Sequence, residues 1–451
     1  MTFTSAVRRG LATFLFAQCV ASVSAQTIYR VSAAAPVGGD GQTWGTAFQS
    51  LDDALALASA GDRVWVAAGL YRPSVERLPG DPRSRSFTPR QGVYLFGGFA
   101  GTELNLVDRA GLFRSTVLDG DLGVPGVVSD NATNVVRLEG NGARHWVDGF
   151  TITGGNADQT GLARGGGAIA AQLGEKFIRN CSFFGNRGRV GGALLSQISI
   201  MHVETCTFVD NSATESGGAL YATSSFTVTD SLFARNVSAG RGGAVYANQG
   251  GLDTENIPIT RFQNCVFHDN IANNGGAAFV GDPNGVVSAG KVVWSGCTFY
   301  ANLALTGGAA IATNATFSNA TDVRLFNSIV WGNLSRAGTM LGGDASHYND
   351  VRHSVIEGGW PGSGNLNSDP RFVNVTARNL RLAAGSPAID SGDNGLVLRD
   401  RNDLDDDGDF NERAPFDITG AARNMDDPQA ADTGVGNAPI TDMGAYERRG
   451  L

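Results

Sequence analysis

Gly166-Gly167-Ala168, Gly191-Gly192-Ala193, Gly217-Gly218-Ala219, Gly242-Gly243-Ala244, Gly275-Gly276-Ala277 and Gly307-Gly308-Ala309 repeat one tripeptide at intervals of 25, 26, 25, 33 and 32 residues. Between successive copies lies a strand-like segment ending in asparagine: CSFFGN (Cys181 to Asn186), CTFVDN (Cys206 to Asn211), SLFARN (Ser231 to Asn236), CVFHDN (Cys265 to Asn270) and CTFYAN (Cys297 to Asn302), with SIVWGN (Ser328 to Asn333) after the last. A fixed period of this length is one coil of a parallel β-helix, whose coils bury their apolar faces only against their neighbours. The spacing predicts an all-β parallel solenoid with its most regular coils over residues 165–333.

Alignment of the coils on their Cys or Ser exposes the faces. Three residues earlier stand Ile178, Val203, Val228, Phe262, Trp294 and Leu325; two residues later stand Phe183, Phe208, Phe233, Phe267, Phe299 and Val330. Equivalent side chains of a parallel stack lie directly above one another, so these positions predict the shared core. The closing Asn is expected as a corner residue, because its side chain tolerates left-handed geometry and bonds to nearby backbone, and the glycine pair as the next corner. Cys181, Cys206, Cys265 and Cys297 share one column with Ser231 and Ser328, which predicts stacked free thiols; bridges Cys181–Cys206 and Cys265–Cys297 are the awkward alternative for in-register neighbours.

Composition agrees with a solenoid. Of 451 residues 42% are hydrophobic and 17% charged, and the 62 glycines fall at periodic turns rather than in a low-complexity tract. The net charge of −9 argues against a nucleic-acid partner, and of the 34 basic residues only Lys176 and Lys291 are lysine. Residues 1–25 carry Arg8-Arg9, an apolar run from Leu11 to Val23 and a small-residue site at Ala25, which predicts a secretory leader; a lipoprotein site at Cys19 is the alternative. No segment after residue 25 is apolar enough to span a bilayer.

Residues 26–92 read as an N-terminal cap with first strands, including a helix opened by Ser50. Residues 73–90 read as an exposed loop, 93–384 as the solenoid, with Trp146 to Ile152 as one of its early strands and Phe372-Val373 as a final one, and 385–451 as a C-terminal segment with an acidic loop. That loop presents Asp403, Asp405, Asp407, Asp409 and Glu412 within one short turn, a set of hard oxygen ligands suited to Ca2+.

Two outward columns are candidates for binding. One holds Arg179, His202, Glu204, Arg261 and Arg324, the only group on one face able to act as general base or to neutralise a carboxylate. The other, two residues after the motif alanine, holds Ala170, Leu195, Tyr221, Tyr246, Phe279 and Ile311; Tyr221, Tyr246 and Phe279 are its ring-stacking positions. Longer returns at 247–258, 280–290 and 313–322 follow the same strand and are expected on one edge.

The alternation of Gly-Gly-Ala with Phe-x-x-Asn (Phe208 to Asn211, Phe233 to Asn236, Phe267 to Asn270, Phe299 to Asn302) resembles the repeats of chlamydial polymorphic outer membrane proteins. The chain as a whole resembles bacterial secreted right-handed β-helix proteins. The likeness rests on Trp65 to Tyr71, Gly97 to Glu103 and Asp148 to Asn156, with a choice-of-anchor Q type ending from Ser386-Pro-Ala-Ile-Asp390 to Asp442-Met-Gly-Ala-Tyr-Glu447. The resemblance implies a right-handed, pectate-lyase-like solenoid exported to the cell envelope or beyond. The outer membrane proteins carry a C-terminal β-barrel that these 451 residues do not show. The expected function is binding of glycan or another cell-surface component along a solenoid face, without catalysis. A polysaccharide lyase acting on an acidic polymer and a structural surface or matrix component are the alternatives.

Overall fold

The computed structural model describes residues 26–450 except 110–113, 141, 143, 160–164, 248–258, 282–289, 315–320, 344, 401–403, 405, 406 and 410. The expected leader, Cys19, Asp403, Asp405 and most of the long returns lie outside the described residues.

One coil shows the plan. Residues Glu175–Arg179 form a strand of the first sheet, Ser182–Phe184 of the second, Arg187–Val190 of the third and Leu194–Gln197 of the fourth, before Ile200–Glu204 returns to the first. Each strand pairs in parallel with its equivalent one coil on: Ile178 faces Val203, Phe183 faces Phe208, and Leu194 faces Leu220. Among the described residues the four sheets hold 11, 10, 7 and 8 strands in that order. The chain is therefore a parallel β-helix.

Both predicted core columns point into the bore, and Ile178, Phe183, Val203, Phe208, Phe233, Phe262, Trp294 and Phe299 are all fully buried. Phe183, Phe208, Phe233, Phe267 and Phe299 stack ring on ring at 4.6–4.9 Å, set by the inter-strand spacing. Among the described residues all four cysteines are buried free thiols. The Cys206 thiol donates to the Glu204 carbonyl at 3.2 Å as the Ser231 hydroxyl donates to the Thr229 carbonyl at 2.7 Å, which is why the two residue types interchange in this column.

Four expectations need correction. The ladder asparagines are not the left-handed residues; the residue before each is, with φ near +55° at Asp210, Arg235, Asp269 and Ala301. The asparagine side chain instead turns inward and bonds to the next coil. Trp146 to Ile152, expected as one strand, is split into His145–Asp148 and Phe150–Thr153 by a corner at Gly149, φ +88°. The loop over 73–90 is not wholly exposed: Phe87 bridges in parallel to Val136 and is buried in the core, covering the open edge of the fourth sheet. Phe372–Asn374 is not a solenoid strand but pairs antiparallel with Asn379–Leu382.

At the N-terminal end, strand Ile28–Val31 already belongs to the first sheet. Helix Leu51–Leu57 is N-capped by Ser50, whose hydroxyl accepts from the Asp52 amide at 3.1 Å, and it buries Leu51, Ala54 and Leu55 against the bore. At the other end, residues beyond Leu382 run back along the outside of the solenoid. Asn264 Nδ2 donates to the Phe416 carbonyl at 2.7 Å, Ser295 to the Leu396 carbonyl at 2.9 Å, and the Ala445 amide to Thr298 Oγ1 at 3.0 Å. The Ser386–Asp390 and Asp442–Glu447 stretches meet there: the Asp390 amide donates to Asp442 Oδ1 at 2.8 Å.

A charged side chain also lies in the bore. Lys176 is fully buried, with Nζ 3.1 Å from His145 Nδ1. Burial lowers the lysine to about 8, and burial and then Lys176 lower the histidine to about 4. Below pH 8 the folded state carries a lysine charge that the unfolded chain holds at no penalty; above the unfolded value of 10.5 neither state carries it. Stability from this group therefore rises with pH between about 8 and 10.5. The difference between wild type and Lys176→Met in denaturant unfolding is expected to change by on the order of 1 kcal/mol across that window, whereas a pH-independent difference would contradict the buried charge.

Candidate functional site: a groove on the first sheet

The outward face of the first sheet alternates with its bore face, so every second residue of each strand points away from the bore. In register order it presents Arg63 and Trp65, Tyr94 and Phe96, Trp146 and Asp148, Phe177 and Arg179, then His202 and Glu204. A groove of about 540 Å3 opens across these strands. Its lining includes Arg63, Tyr94, Phe96, Trp146, Asp148 and Arg179 along the sheet, with Leu106, Val107 and Arg109 supplied by the loop that follows strand Tyr94–Phe99. Arg144 also lines it, just before strand His145–Asp148.

Aromatic rings organise this face. Trp146 stacks on Phe177 at 4.7 Å and Phe177 on the His202 ring at 4.6 Å, nearly parallel in both cases. The Arg179 guanidinium lies 4.7 Å from the Trp146 ring centre, Arg144 is 5.6 Å from that of Phe177, and Arg109 is 5.5 Å from those of both Phe96 and Phe99. A flat guanidinium held over a ring presents its edge, in the ring-parallel plane, to carboxylates in two-pronged fashion. Three protein carboxylates already contribute: Asp148 pairs with Arg109 at 3.1 Å, Glu175 with Arg144 at 2.7 Å, and Glu204 with Arg179.

Glu204 is the most perturbed of these. It is 3% exposed, and its Oε1 has no hydrogen-bond partner. Burial pushes its carboxyl up to about 7, helped by Asp400 and Asp148 and opposed by Arg179. His202 sits beside it, with Nε2 3.2 Å from Glu175 Oε1.

The structure thus brings Arg179, His202 and Glu204 onto adjacent strands at one end of the groove, and leaves the other candidates elsewhere. Arg261, in the Phe177 column but three strands further on, lines a separate small crevice with Thr227, Thr229, Gln263, Arg399, Asp400 and Leu404, where the C-terminal segment lies over the sheet. Arg324 is two strands beyond that and paired with Asp322 at 2.9 Å.

The aromatic column on the fourth sheet is not an open surface. Tyr221, Tyr246 and Phe279 stack in register at 4.8 and 5.4 Å, yet they are 6%, 0% and 1% exposed. The chain doubles back at the glycine corner and folds over them: Val190 joins their cluster, Arg241 stands 5.1 Å from the Phe279 ring centre, and the Tyr246 hydroxyl donates to the Gly281 carbonyl at 2.9 Å. Ile311 does not belong to this column either; it pairs with Ala278 on the bore side, and Ala312 takes the outward place.

In the acidic loop, Asp407 and Asp409 are exposed and cap successive turns, accepting from the Asp409 amide at 2.7 Å and the Asn411 amide at 2.8 Å. Glu412 is half-buried, and the Asp400 amide donates to its carbonyl at 2.9 Å.

Sequence reasoning missed Arg63, Tyr94, Phe96, Arg109, Arg144 and Trp146. The signal was present as Arg or aromatic residues two apart in Arg63-Val-Trp65, Tyr94-Leu-Phe96 and Arg144-His-Trp146. Those early coils lack the Gly-Gly-Ala marker that sets a common register.

Residues 126–257 match a family described as a right-handed β-helix region. No curated protein matches the sequence. Among solved structures the chain is similar to pectate lyase Pel9A, at 13% identity and a TM-score of 0.47, over 95% of this chain and 98% of that one. It is also similar to a rhamnogalacturonan lyase, at 13% identity and a TM-score of 0.42, over 80% and 95%. With four parallel sheets in register and the family match over its central coils, the fold is a right-handed parallel β-helix.

Proposed function

We propose that this protein binds an acidic polysaccharide along the outer face of its first sheet, at the cell envelope or outside the cell. The observation that supports the reading is the convergence of Arg63, Arg109, Arg144 and Arg179 with Tyr94, Phe96 and Trp146 in one groove, in a chain whose net charge is −9. Four strands at about 4.8 Å each give a run of roughly 14 Å, suited to an extended polymer rather than a small molecule. Guanidinium forks match uronate carboxylates, and ring faces match the apolar faces of sugars.

Arg144 has a side chain 64% exposed, so its loss leaves the fold intact. In titration calorimetry with polygalacturonate, Arg144→Ala is expected to bind about 5- to 10-fold more weakly than wild type, and wild-type binding is expected to weaken as salt rises. Equal affinity for a neutral glucan, or unchanged binding by Arg144→Ala, overturns the reading.

A second reading, a lyase acting on the same class of polymer, is favoured by Glu204, whose raised carboxyl lies against Arg179 at the end of the groove. It requires unsaturated uronate product detectable by absorbance, lost in Glu204→Gln; absence of product with and without Ca2+ removes it.

A further inference from the structure

Outside the groove, the C-terminal segment holds an unusual concentration of acid. Asp427 is paired with Arg448 at 2.7 Å and Glu447 with Arg423 at 3.2 Å. Asp442 is fully buried; its oxygens accept from the amides of Asp390 at 2.8 Å and Arg448 at 2.7 Å. Asp390, Asp426 and Asp432 remain, and one carboxylate oxygen of each lies within 4.8 Å of the others.

Asp390 is what separates this cluster from a solvated acidic patch. It is fully buried, and neither of its carboxylate oxygens has a hydrogen-bond partner. Its backbone is fixed on both sides: the amide donates to Asp442, and the carbonyl accepts from the amides of Thr433 at 2.9 Å and Gly434 at 3.0 Å. A carboxylate enclosed with so little hydrogen bonding is strongly disfavoured in its charged form unless a cation meets it. Burial first, then Asp432 and Asp426, push the Asp390 carboxyl up to about 6, while the nearby Asp427 amide works the other way. The surroundings therefore oppose its charge, and the nearby arginines Arg423 and Arg448 are engaged with other carboxylates.

We propose that Asp390, Asp426 and Asp432 form a Ca2+ site that ties the Ser386–Asp390 stretch to the 426–432 loop and so clamps the C-terminal segment. Three carboxylates offer the hard oxygen donors Ca2+ takes, and oxygens on opposite sides of that ion stand about 4.8 Å apart at a bond length of about 2.4 Å. Asp426 and Asp432 are exposed, which leaves room for water to complete the shell. The site is distinct from the acidic loop around Asp407 and Asp409, and it does not depend on the groove.

The test uses the full mature chain in chelated buffer with Ca2+ alone as the probe. Millimolar Ca2+ is expected to raise Tm by about 3–6 °C and to slow proteolysis within residues 385–450. The shift is expected to vanish in Asp426→Asn with Asp432→Asn, both of them surface changes that leave the buried core untouched, and to persist in Asp407→Asn with Asp409→Asn. No shift in wild type, or a shift that survives the Asp426 and Asp432 changes, overturns the proposal.

Discussion

Gly218→Ala is expected to cost more than about 4 kcal/mol and to leave little soluble protein. Gly218 is the second glycine of its pair, where the chain passes from the third sheet to the fourth. A Cβ there would stand 2.1 Å from the Gly243 carbonyl oxygen and 2.7 Å from both the amide nitrogen and the carbonyl oxygen of Val237. All three atoms are backbone of the following coil, so no side chain can rotate away. Relief requires the two coils to separate, yet the Val237 amide is bonded to the Asn211 carbonyl at 2.9 Å and the Gly218 amide to the Gly242 carbonyl at 3.1 Å. The matching control is Gly126→Ala: its φ is +80°, but nothing lies within 4 Å of the added carbon, and the cost is expected to be about 1–2 kcal/mol. Thermal unfolding of both variants checks the contrast; similar shifts would mean that the glycine pairs serve flexibility rather than close approach.

Asn236→Leu is expected to be almost as damaging, at about 3–5 kcal/mol. The ladder Asn186, Asn211, Asn236, Asn270, Asn302 and Asn333 is continuous, each side-chain amide donating to the next Oδ1 at 2.8–3.1 Å. Asn236 Nδ2 also donates to the Phe208 carbonyl at 2.9 Å, and its Oδ1 also accepts from the Asn211 amide at 3.1 Å. Leucine has similar bulk but leaves those partners buried and unpaired, and the site is fully closed to water. Asn236→Asp keeps the shape and loses the donors while adding a charge, so at pH 7 it is expected to lower Tm at least as much as leucine. A milder effect from aspartate would show that shape, not hydrogen bonding, holds this corner.

These two positions also show what the sequence made legible. Stacking demands the same residue at the same place, so the phenylalanine and asparagine columns and the glycine pairs could be read from their spacing. Direction out of the bore could be read as well: Tyr221, Tyr246 and Phe279 do point away from it. What covers an outward face could not be read, because the cover comes from a different sheet that meets it only after the chain has turned. Arg109 is the converse case. It reaches the groove from a loop outside any repeat, and its role follows from where that loop folds, packed over Phe96 and against Asp148. Arg179, His202 and Glu204 were found because they lie in marked coils; Tyr94 and Trp146, in unmarked coils of the same sheet, were not.

Hydroxyl-radical footprinting of the protein with and without polygalacturonate tests the groove most directly. Protection is expected at Tyr94, Leu106, Val107 and Trp146, with no change at the exposed Val237 and Leu334 on the third sheet. Uniform protection, or protection confined to the fourth-sheet side with Tyr94 and Trp146 unaffected, would contradict the account.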